Sequence, residues 1–300
     1  MELRPRRRGL LRRRRPEPVA AAPARLALPT VADRVRDNIL HKRLAVDLPG
    51  PHLRIAVVSL KGGTGRTSVA LGLGDVLAAD RHREPVVALD AVPLHGSLAT
   101  RAGGREASVI ELLANHQTYA THNSPPPPAY RRPSGLAVVP SEHRPDAQYV
   151  LGADGYRWLA EHVMPRSFGI MVTDTPAGLS DPLMAGVLSL ADLVVLTTTT
   201  AAESATRAVD ALAWMRRQGY GRLARRALVA ITAVHADDPG VPAEVLREHF
   251  AAEAGGAVTI PWDRHLAAGQ PIDTAALEPA TRTAYLTLGA ATVAALHATK

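Results

Sequence analysis

The stretch KGGTGRTS, residues 61–68, combines residue types that bind phosphate. Its three glycines allow the backbone to turn tightly, so that main-chain N–H groups can point at an anion. A helical pattern begins at Thr67, and the positive end of a helix dipole favours the same anion. The Thr67 hydroxyl is placed to bind a magnesium ion. The stretch therefore predicts a loop that binds the phosphates of a nucleotide.

This loop departs from the pattern G-x-x-x-x-G-K-[ST] at two positions. Leu60 stands at the first glycine, and Arg66 stands at the lysine. Arginine keeps the positive charge, but its planar group is larger than an ammonium and prefers a bidentate contact. Because phosphoryl transfer depends on positioning and on charge neutralisation, we expect Arg66 to slow hydrolysis before it abolishes binding. Neutral drift towards arginine is the alternative, since the chain has only three lysines.

The elements that must position this loop follow an alternating pattern from Leu53 onward. The predicted strands are 53–59, 86–90, 136–139, 168–173, 193–198, 227–233 and 257–260, and the predicted helices are 67–80, 107–115, 154–163, 202–218, 242–252 and 275–298. Near-continuous apolar strands separated by helices indicate a mostly parallel sheet with helices on both faces. The predicted fold class is therefore α/β, with three layers, over residues 52–300.

Two segments fall outside this alternation. Residues 117–135 contain four consecutive prolines, so this segment is predicted to be a loop or short linker without regular structure. Residues 30–46 are predicted to form a helix, because Thr30 can cap it and apolar residues follow at near-helical spacing. This helix, with a linker up to residue 51, can pack on the body of the protein or meet a partner, and packing is favoured.

The basic charge is concentrated at the amino terminus. The formal net charge of the 300 residues is +7, with 35 Lys and Arg against 28 Asp and Glu. Residues 1–16 hold eight Arg and one Glu, which leaves 27 basic and 27 acidic residues, a net charge of zero, in residues 17–300. Residues 1–29 are predicted to be a disordered tail. The tail can contact anionic lipid or DNA phosphates, or remain solvated without a specific target.

The composition excludes several kinds of site. The chain has no Cys, so disulfides, thiolate metal sites and cysteine nucleophiles are excluded. The twelve His are scattered, and no metal beyond Mg²⁺ is expected. No apolar run is long enough to span a bilayer, and no secretory signal follows the Arg-rich start. We expect a cytoplasmic protein, which the tail could hold at the inner membrane surface.

The loop resembles K-G-G-x-G-K-[ST], the deviant loop of the MinD/ParA ATPases, in which an extra lysine near the start defines the group. That lysine is Lys61 here. VVALDAVPLHGSLA and FGIMVTDTPAGLSD resemble the family's two switch regions, and VTIPWDRHLAAGQPI resembles the loop that caps the base. SLKGG, YRWLAEHV, GYGRLARRALVAITAV and ATRTAYLTLGA resemble actinobacterial MinD-like proteins associated with type VII secretion. The resemblance spans roughly residues 53–298 and implies a P-loop NTPase fold that binds ATP or ADP with Mg²⁺.

The resemblance also implies roles for residues that match the family's motifs. The residues implied to bind the nucleotide are Gly62, Gly63, Thr64, Gly65, Arg66, Thr67 and Ser68, with Pro261 and Trp262 near the base. The residues implied to organise Mg²⁺ are Thr67, Asp90 and Asp174. Lys61, Arg66 and Asp90 are implied to be catalytic, and Lys61 to reach the partner's phosphates across a nucleotide-sandwiched homodimer.

Two more departures concern turnover and the base. Many relatives carry D-x-D-P after the second strand, and the second Asp orients the attacking water. Here the run is DAVP at 90–93, and Val92 stands in that position. Because valine can neither accept a proton nor hold a water, hydrolysis is expected to be slow or absent. Relatives often read adenine with an Asn after the sixth strand, but this chain has ITA at 231–233, so ATP follows from the resemblance only.

These features support one principal function and two alternatives. The principal one is a MinD/ParA-like ATPase whose nucleotide state controls dimerisation and the binding of a protein partner, in a secretion or positioning system. The first alternative, which Arg66 and Val92 favour, is a degenerate ATPase that does not hydrolyse nucleotide and acts as an interaction scaffold. The second is a chromosome-partition protein that coats DNA, and the neutral body argues against it.

Overall fold

The structure, a computed structural model, describes residues 30–81, 83–93, 96–119, 125–144, 150–237 and 240–298. The predicted disordered tail, residues 1–29, lies outside the described residues. The strands in this part of the chain form one sheet: β1 Leu53–Ser59, β2 Val86–Asp90, β3 Tyr130–Arg131, β4 Ala137–Val139, β5 Ile170–Ala177, β6 Leu193–Thr199, β7 Leu228–Thr232 and β8 Gly256–Ile260. Their order is β3-β4-β2-β5-β1-β6-β7-β8, and all neighbouring pairs except β3–β4 are parallel.

Helices cover both faces of this sheet. They are α1 Val31–Leu44, α2 Arg66–Asp80, α3 Leu98–Ala102, α4 Val109–Ala114, α5 His116–Tyr119, α6 Ala153–Trp158, α7 Pro182–Leu190, α8 Ala202–Arg217, α9 Gly221–Arg226, α10 Ala243–Glu253, α11 Arg264–Ala267 and α12 Pro279–His297. Buried residues of α1, α2, α3 and α12 form one core, and those of α4 and α6 to α10 form a second. Alternate residues of each central strand enter the two cores, because successive side chains of a strand point to opposite faces. The predicted three-layer, mostly parallel α/β fold is confirmed.

The sheet topology brings several chain segments to one edge. Strand β1 is paired with β5 on one side and β6 on the other, and the register sets both Val57 and Asp90 opposite Asp174. Because parallel strands end at the same edge, the segments that follow β1, β2, β5, β7 and β8 meet there. Ligands of open α/β sheets bind outside these carboxyl ends.

Residues 117–135 contain regular structure, which corrects the prediction of a loop. Helix α5 extends to Tyr119, and Tyr130–Arg131 pair with β4 in antiparallel orientation. The four prolines end at residue 128, so they do not remove hydrogen bonds from this short edge strand. Helices α3, α7, α9 and α11 were also not predicted. With five and four residues, α3 and α11 are too short to show a clear helical period.

The first helix is capped and packed as its sequence predicts. The side chains of Thr30 and Asp33 form a reciprocal capping box at the start of α1. Leu40 and Leu44 are buried against α12, whereas Val35 and Ile39 remain exposed. Across the described ranges, no helix combines the length and the apolar character that crossing a bilayer requires.

Candidate nucleotide-binding site

The connection between β1 and α2, with the first turn of α2, is called the phosphate loop here (residues 60–68). Gly63 and Gly65 have φ angles of +78° and +73°, which glycine adopts without the steric cost that a side chain brings. A Cβ atom on Gly63 would meet nothing within 4 Å, so the loop faces open space at that point. The 15-residue helix α2 begins directly after Gly65. The loop therefore offers an open, main-chain-lined position at a helix N-terminus, where an anion is favoured.

Thr64 and Thr232 hold the phosphate loop on the sheet. The Thr64 side chain is 2% exposed, and its hydroxyl lies 2.7 Å from the Thr197 hydroxyl on β6. The Thr232 hydroxyl on β7 lies 3.1 Å from the carbonyl oxygen of Thr64. The predicted ligand contact of Thr64 can therefore come only from its main chain, because its side chain points into the protein.

Two buried carboxylates lie beside the start of α2. The Thr67 hydroxyl donates to Asp174 Oδ2 at 2.6 Å, while Asp174 Oδ1 is buried and has no hydrogen-bond partner among the described residues. Burial and, to a smaller extent, repulsion from the charge of Asp90 together raise the pKa of Asp174 to about 7. Burial also raises the pKa of Asp90, to about 6. A buried charge without a partner is costly, so the carboxylates of Asp90 and Asp174 are suited to bind a cation.

Asp90 is held by main-chain hydrogen bonds and a close glycine contact that the sequence analysis did not predict. Its carboxylate accepts hydrogen bonds from the main-chain N–H groups of Val92 at 3.0 Å and Leu98 at 3.3 Å. A Cβ atom on Gly96 would lie 2.1 Å from Asp90 Oδ2, so only glycine lets the backbone approach this closely. The Ser141 hydroxyl accepts from the N–H of Gly96 at 2.8 Å. The sequence carried no signal for this contact, because 45 residues separate its two members.

The two cationic residues of the loop point to different places. The Arg66 guanidinium donates to Ser59 Oγ at 3.1 Å, and its burial lowers its pKa, against the attraction of Asp174 and Asp90. Lys61 Nζ lies 2.8 Å from Glu203 Oε2, and both side chains are largely exposed. The structure thus brings Arg66 near the two carboxylates and leaves Lys61 on the surface of its own chain.

A cavity of about 190 Å³ extends from the phosphate loop to the ends of β7 and β8. It joins Gly63, Gly65 and Ser68 to the predicted base-side residues Pro261 and Trp262. The other lining residues are Thr232, Ala233, Val234, Ile260, Asp263, Leu266, Ala267 and Tyr285. Asp263 had a sequence signal, since Asp is a preferred N-cap residue and it caps α11. Tyr285 had none, because it lies on α12, far along the chain from the loop.

These residues fit a magnesium–nucleotide complex. Three features match such a ligand: Asp174 Oδ1, which has no hydrogen-bond partner in the residues described, the adjacent Thr67 hydroxyl and the open side of Gly63. No group of three or more His, Cys, Asp or Glu that could hold a metal occurs within the described ranges. Mg²⁺ in phosphate sites needs no such group, because one or two carboxylates and the phosphates themselves bind it.

Comparison with known proteins finds a relative in sequence. No family model matches the chain. It is 34% identical over 254 residues to the ESX-1 secretion-associated protein EspI of Mycobacterium tuberculosis, in strains CDC 1551 / Oshkosh and ATCC 25618 / H37Rv. The match covers 84% of this chain but 38% of that protein, so the chain spans about two fifths of the length of this relative.

Solved structures share the fold at low sequence identity. The cell division ATPase MinD of Pyrococcus furiosus has a TM-score of 0.60 and 20% identity, covering 80% of this chain and 98% of that chain. A ParA family ATPase from Chlorobium tepidum TLS has a TM-score of 0.61 and 17% identity, with coverages of 80% and 98%. The septum site-determining protein MinD from Pyrococcus horikoshii OT3, complexed with Mg-ADP, has a TM-score of 0.55 and 18% identity, with coverages of 79% and 94%. The chain thus has the fold of MinD and ParA ATPases, and in sequence it is similar to an ESX-1 secretion-associated protein, as the resemblance of the loop and switch segments predicted.

Proposed function

We propose that the chain binds ATP and ADP with Mg²⁺ at the phosphate loop, and that the nucleotide state controls its dimerisation and the binding of a protein partner. The observation that carries the proposal is the buried Asp174 Oδ1 beside Thr67 and Asp90, which no described residue contacts through a hydrogen bond. Similar structures are named ATPases, and one of them holds Mg-ADP. The name of the relative EspI supports a partner in a secretion system.

Each part of the ligand would have a set of residues to bind it. The main chain of residues 62–67 would surround the phosphates, with Ser68 at the α-phosphate. Thr67, Asp90 and Asp174 would hold Mg²⁺, directly or through water. The ion, when bound, supplies positive charge that neutralises both the phosphates and the buried carboxylates. The ribose and base would then extend through the cavity towards Pro261 and Trp262.

Hydrolysis is proposed to be slow for two reasons. The Arg66 guanidinium is bonded to Ser59 at the end of β1, and Ser59 Oγ is also 2.7 Å from the carbonyl oxygen of Lys61. Arg66 must leave this contact before it can bridge phosphate oxygens. Val92, two residues after the carboxylate of Asp90 that would act on Mg²⁺, offers no group that could orient a water. Binding is therefore expected to survive better than turnover.

Dimerisation is proposed to depend on Lys61. Its ion pair with Glu203 is exposed, and exposed ion pairs are worth only about 0–1 kcal/mol. The lysine can therefore leave Glu203 at little cost and contact phosphates bound to a second copy of the chain.

A second candidate function is a static scaffold that binds nucleotide without hydrolysing it. The specific observations that favour it are the Arg66–Ser59 hydrogen bond and the apolar Val92. The first candidate hydrolyses ATP slowly and changes its molar mass with the nucleotide that is bound. The scaffold does neither.

The proposal is tested by light scattering after size exclusion, with no nucleotide, with Mg-ADP and with Mg-ATPγS, together with an assay of phosphate release from ATP. We expect a dimer with Mg-ATPγS alone and slow phosphate release. Thr67→Ala should abolish the dimer and the phosphate release. Thr206 is an exposed residue of α8, and Thr206→Ala should keep both properties. The same mass in all three states would overturn the nucleotide-controlled dimer. Binding with no phosphate release would favour the scaffold.

A further inference from the structure

We propose that Arg101 is a positioning residue of the nucleotide site: it holds residues 264–272, called the cap segment here, against Ser68 of the phosphate loop, and the α-phosphate of a bound nucleotide balances its buried charge. The inference rests on the proposed binding of nucleotide. It deepens that function by assigning a residue that the sequence pattern of the phosphate loop does not include.

The Arg101 guanidinium contacts two parts of the site at once. Nη1 donates to the carbonyl oxygen of Gln270 at 2.7 Å, and Nη2 donates to that of Leu266 at 3.0 Å. Nη2 also donates to Ser68 Oγ at 3.3 Å. The main chain adds a further contact, since the carbonyl oxygen of Arg101 accepts from the N–H of Ile272 at 2.7 Å. One residue of α3 therefore joins the cap segment to the phosphate loop.

The charge of Arg101 is buried without a counterion in the part of the chain that the structure describes. The residue is 8% exposed. The groups that its guanidinium contacts are two carbonyl oxygens and one hydroxyl, and the described residues place no carboxylate among them. Burial lowers the pKa of Arg101, because it disfavours the charged form. Since buried charges in proteins are normally paired, this position favours an anion close to Arg101.

The neighbouring Arg132 shows how this chain balances a buried guanidinium without a ligand. Like Arg101, it donates to main-chain oxygens, those of Ala102 at 2.6 Å and Ile272 at 2.8 Å. It also forms a bidentate pair with the carboxylate of Asp75, at 2.8 and 2.7 Å. The charge of Arg132 is thus compensated within the protein, whereas that of Arg101 would be compensated by the phosphates of the nucleotide.

Ser68 is the residue through which Arg101 would act on the ligand. Ser68 lines the cavity, and Arg101 lies behind it. Because Ser68 Oγ accepts from Arg101, its own proton is left to donate to an oxygen of the α-phosphate. Hydrogen bonds in a chain polarise one another, so the cation makes this hydroxyl a stronger donor. Arg101 therefore positions and strengthens a phosphate contact that another residue makes.

Two other residues hold the ends of the cap segment. Asp263 caps its first turn, and Arg132 binds the carbonyl oxygen of its last residue. Arg101 is bonded to the middle of the segment, at residues 266 and 270. Loss of the Arg101 side chain should thus free the middle of the segment while both ends and the fold are kept.

The first test combines hydrogen exchange of the ligand-free full chain with calorimetric titration by Mg-ADP. Arg101→Gln should speed exchange in the cap segment by about tenfold and weaken Mg-ADP by about tenfold, because a hydrogen bond to a charged group contributes about tenfold or more. Exchange in α2 should not change. Arg101→Lys keeps the charge but not the planar fork, and should lose less in both measurements. The exposed Arg105→Gln is the matched control and should behave like wild type.

A double-mutant cycle separates positioning of Ser68 from a general structural role. Ser68→Ala and Arg101→Gln together should weaken Mg-ADP by less than the product of their separate factors, because both act on the same phosphate contact. If Arg101→Gln does not fold, the same cycle with Arg101→Lys gives the answer.

The possible failures have different signatures. Factors that simply multiply, or Arg101 variants that bind Mg-ADP like wild type, would overturn the inference and leave nucleotide binding intact. Unchanged exchange of the cap segment in Arg101→Gln would also overturn it. Absence of Mg-ADP binding by the wild-type chain would overturn the proposed function itself, and the inference with it.

Discussion

The two ends of the cavity satisfy their polar groups in opposite ways. At the phosphate end, Asp174 Oδ1 is buried and has no hydrogen-bond partner within the described part of the chain, and burial raises the pKa of both Asp90 and Asp174. At the base end, Asp263 and Tyr285 form hydrogen bonds within the protein. A bound cation would therefore balance the charge of the carboxylates at the phosphate end. At the base end, these polar side chains already have hydrogen-bond partners within the protein. We infer that the charge of the ligand is recognised at the phosphate end.

The largest effect is expected from removing the unpaired charge at the phosphate end. Asp174→Asn should weaken Mg-ATPγS binding by about 100-fold, because loss of a group that orients a metal typically costs about 10–100-fold. Calorimetry with Mg²⁺ in excess measures this. Asp210→Asn, an exposed carboxylate beside Arg207, is the matched control and should bind like wild type. Equal affinities for the two variants would mean that Asp174 has no part in binding the ion.

The pH dependence of stability should reveal the same charge in the ligand-free protein. The pKa of Asp174 is about 7 in the fold against 3.8 ordinarily, so the folded protein keeps a proton that the unfolded chain releases. Its stability should therefore fall as the pH rises from about 4 to about 7. The size of the fall depends on how far the pKa differs between the folded and the unfolded state, at about 1.4 kcal/mol for each pKa unit, and the raised pKa of Asp90 acts in the same direction.

Urea denaturation followed by circular dichroism at pH 5 and pH 8 measures this difference. Asp174→Asn removes the titrating group and should make the two unfolding free energies more nearly equal. The assignment would be contradicted if the difference in unfolding free energy between pH 5 and pH 8 were the same in the wild-type protein and in the variant.

At the base end, packing should matter more than charge. A Cβ atom on Gly72 of α2 would lie 2.4 Å from the Tyr285 ring on α12. Gly72→Ala should destabilise the fold by about 1–3 kcal/mol, because the extra methyl overpacks this crossing of the two helices. Gly152→Ala is the control, since a Cβ atom there meets nothing within 4 Å. Melting temperatures of both variants measure the effect, and equal values would show that Tyr285 moves aside freely.

The smallest effect is expected where charge is kept and only its shape changes. Arg66→Lys should increase phosphate release by about fivefold, because a compact ammonium can approach the phosphates while the guanidinium is bonded to Ser59. The exposed Arg207→Lys is the matched control. Turnover that stays at the wild-type rate would point to Val92, rather than Arg66, as the cause of slow hydrolysis.

The fold could be predicted from the sequence because its signals are local. The apolar runs that became β1 and β2 are bounded as predicted, at 53–59 and 86–90, and the glycines at 62–65 identified the phosphate loop. The short strand Tyr130–Arg131 was missed, because two residues that pair at a sheet edge carry no pattern of their own.

The base end could be predicted only in part, because its contacts join distant segments. Pro261 and Trp262 were found through their resemblance to a capping loop, and the structure places both in the cavity. The contact between Tyr285 and Gly72, and that between Gly96 and Asp90, depend on how whole elements pack. Neither the type of these residues nor their spacing in the sequence indicates those contacts.

The most direct test of nucleotide binding at the phosphate end is calorimetric titration of the wild-type chain with Mg-ADP, repeated with Mg²⁺ removed by chelation. We predict saturable binding that weakens strongly without the ion, because Asp174 and Asp90 would again repel the phosphates. Binding that is absent in the wild-type chain, and restored by Arg66→Lys, would contradict this prediction and would mean that Arg66 has closed the site.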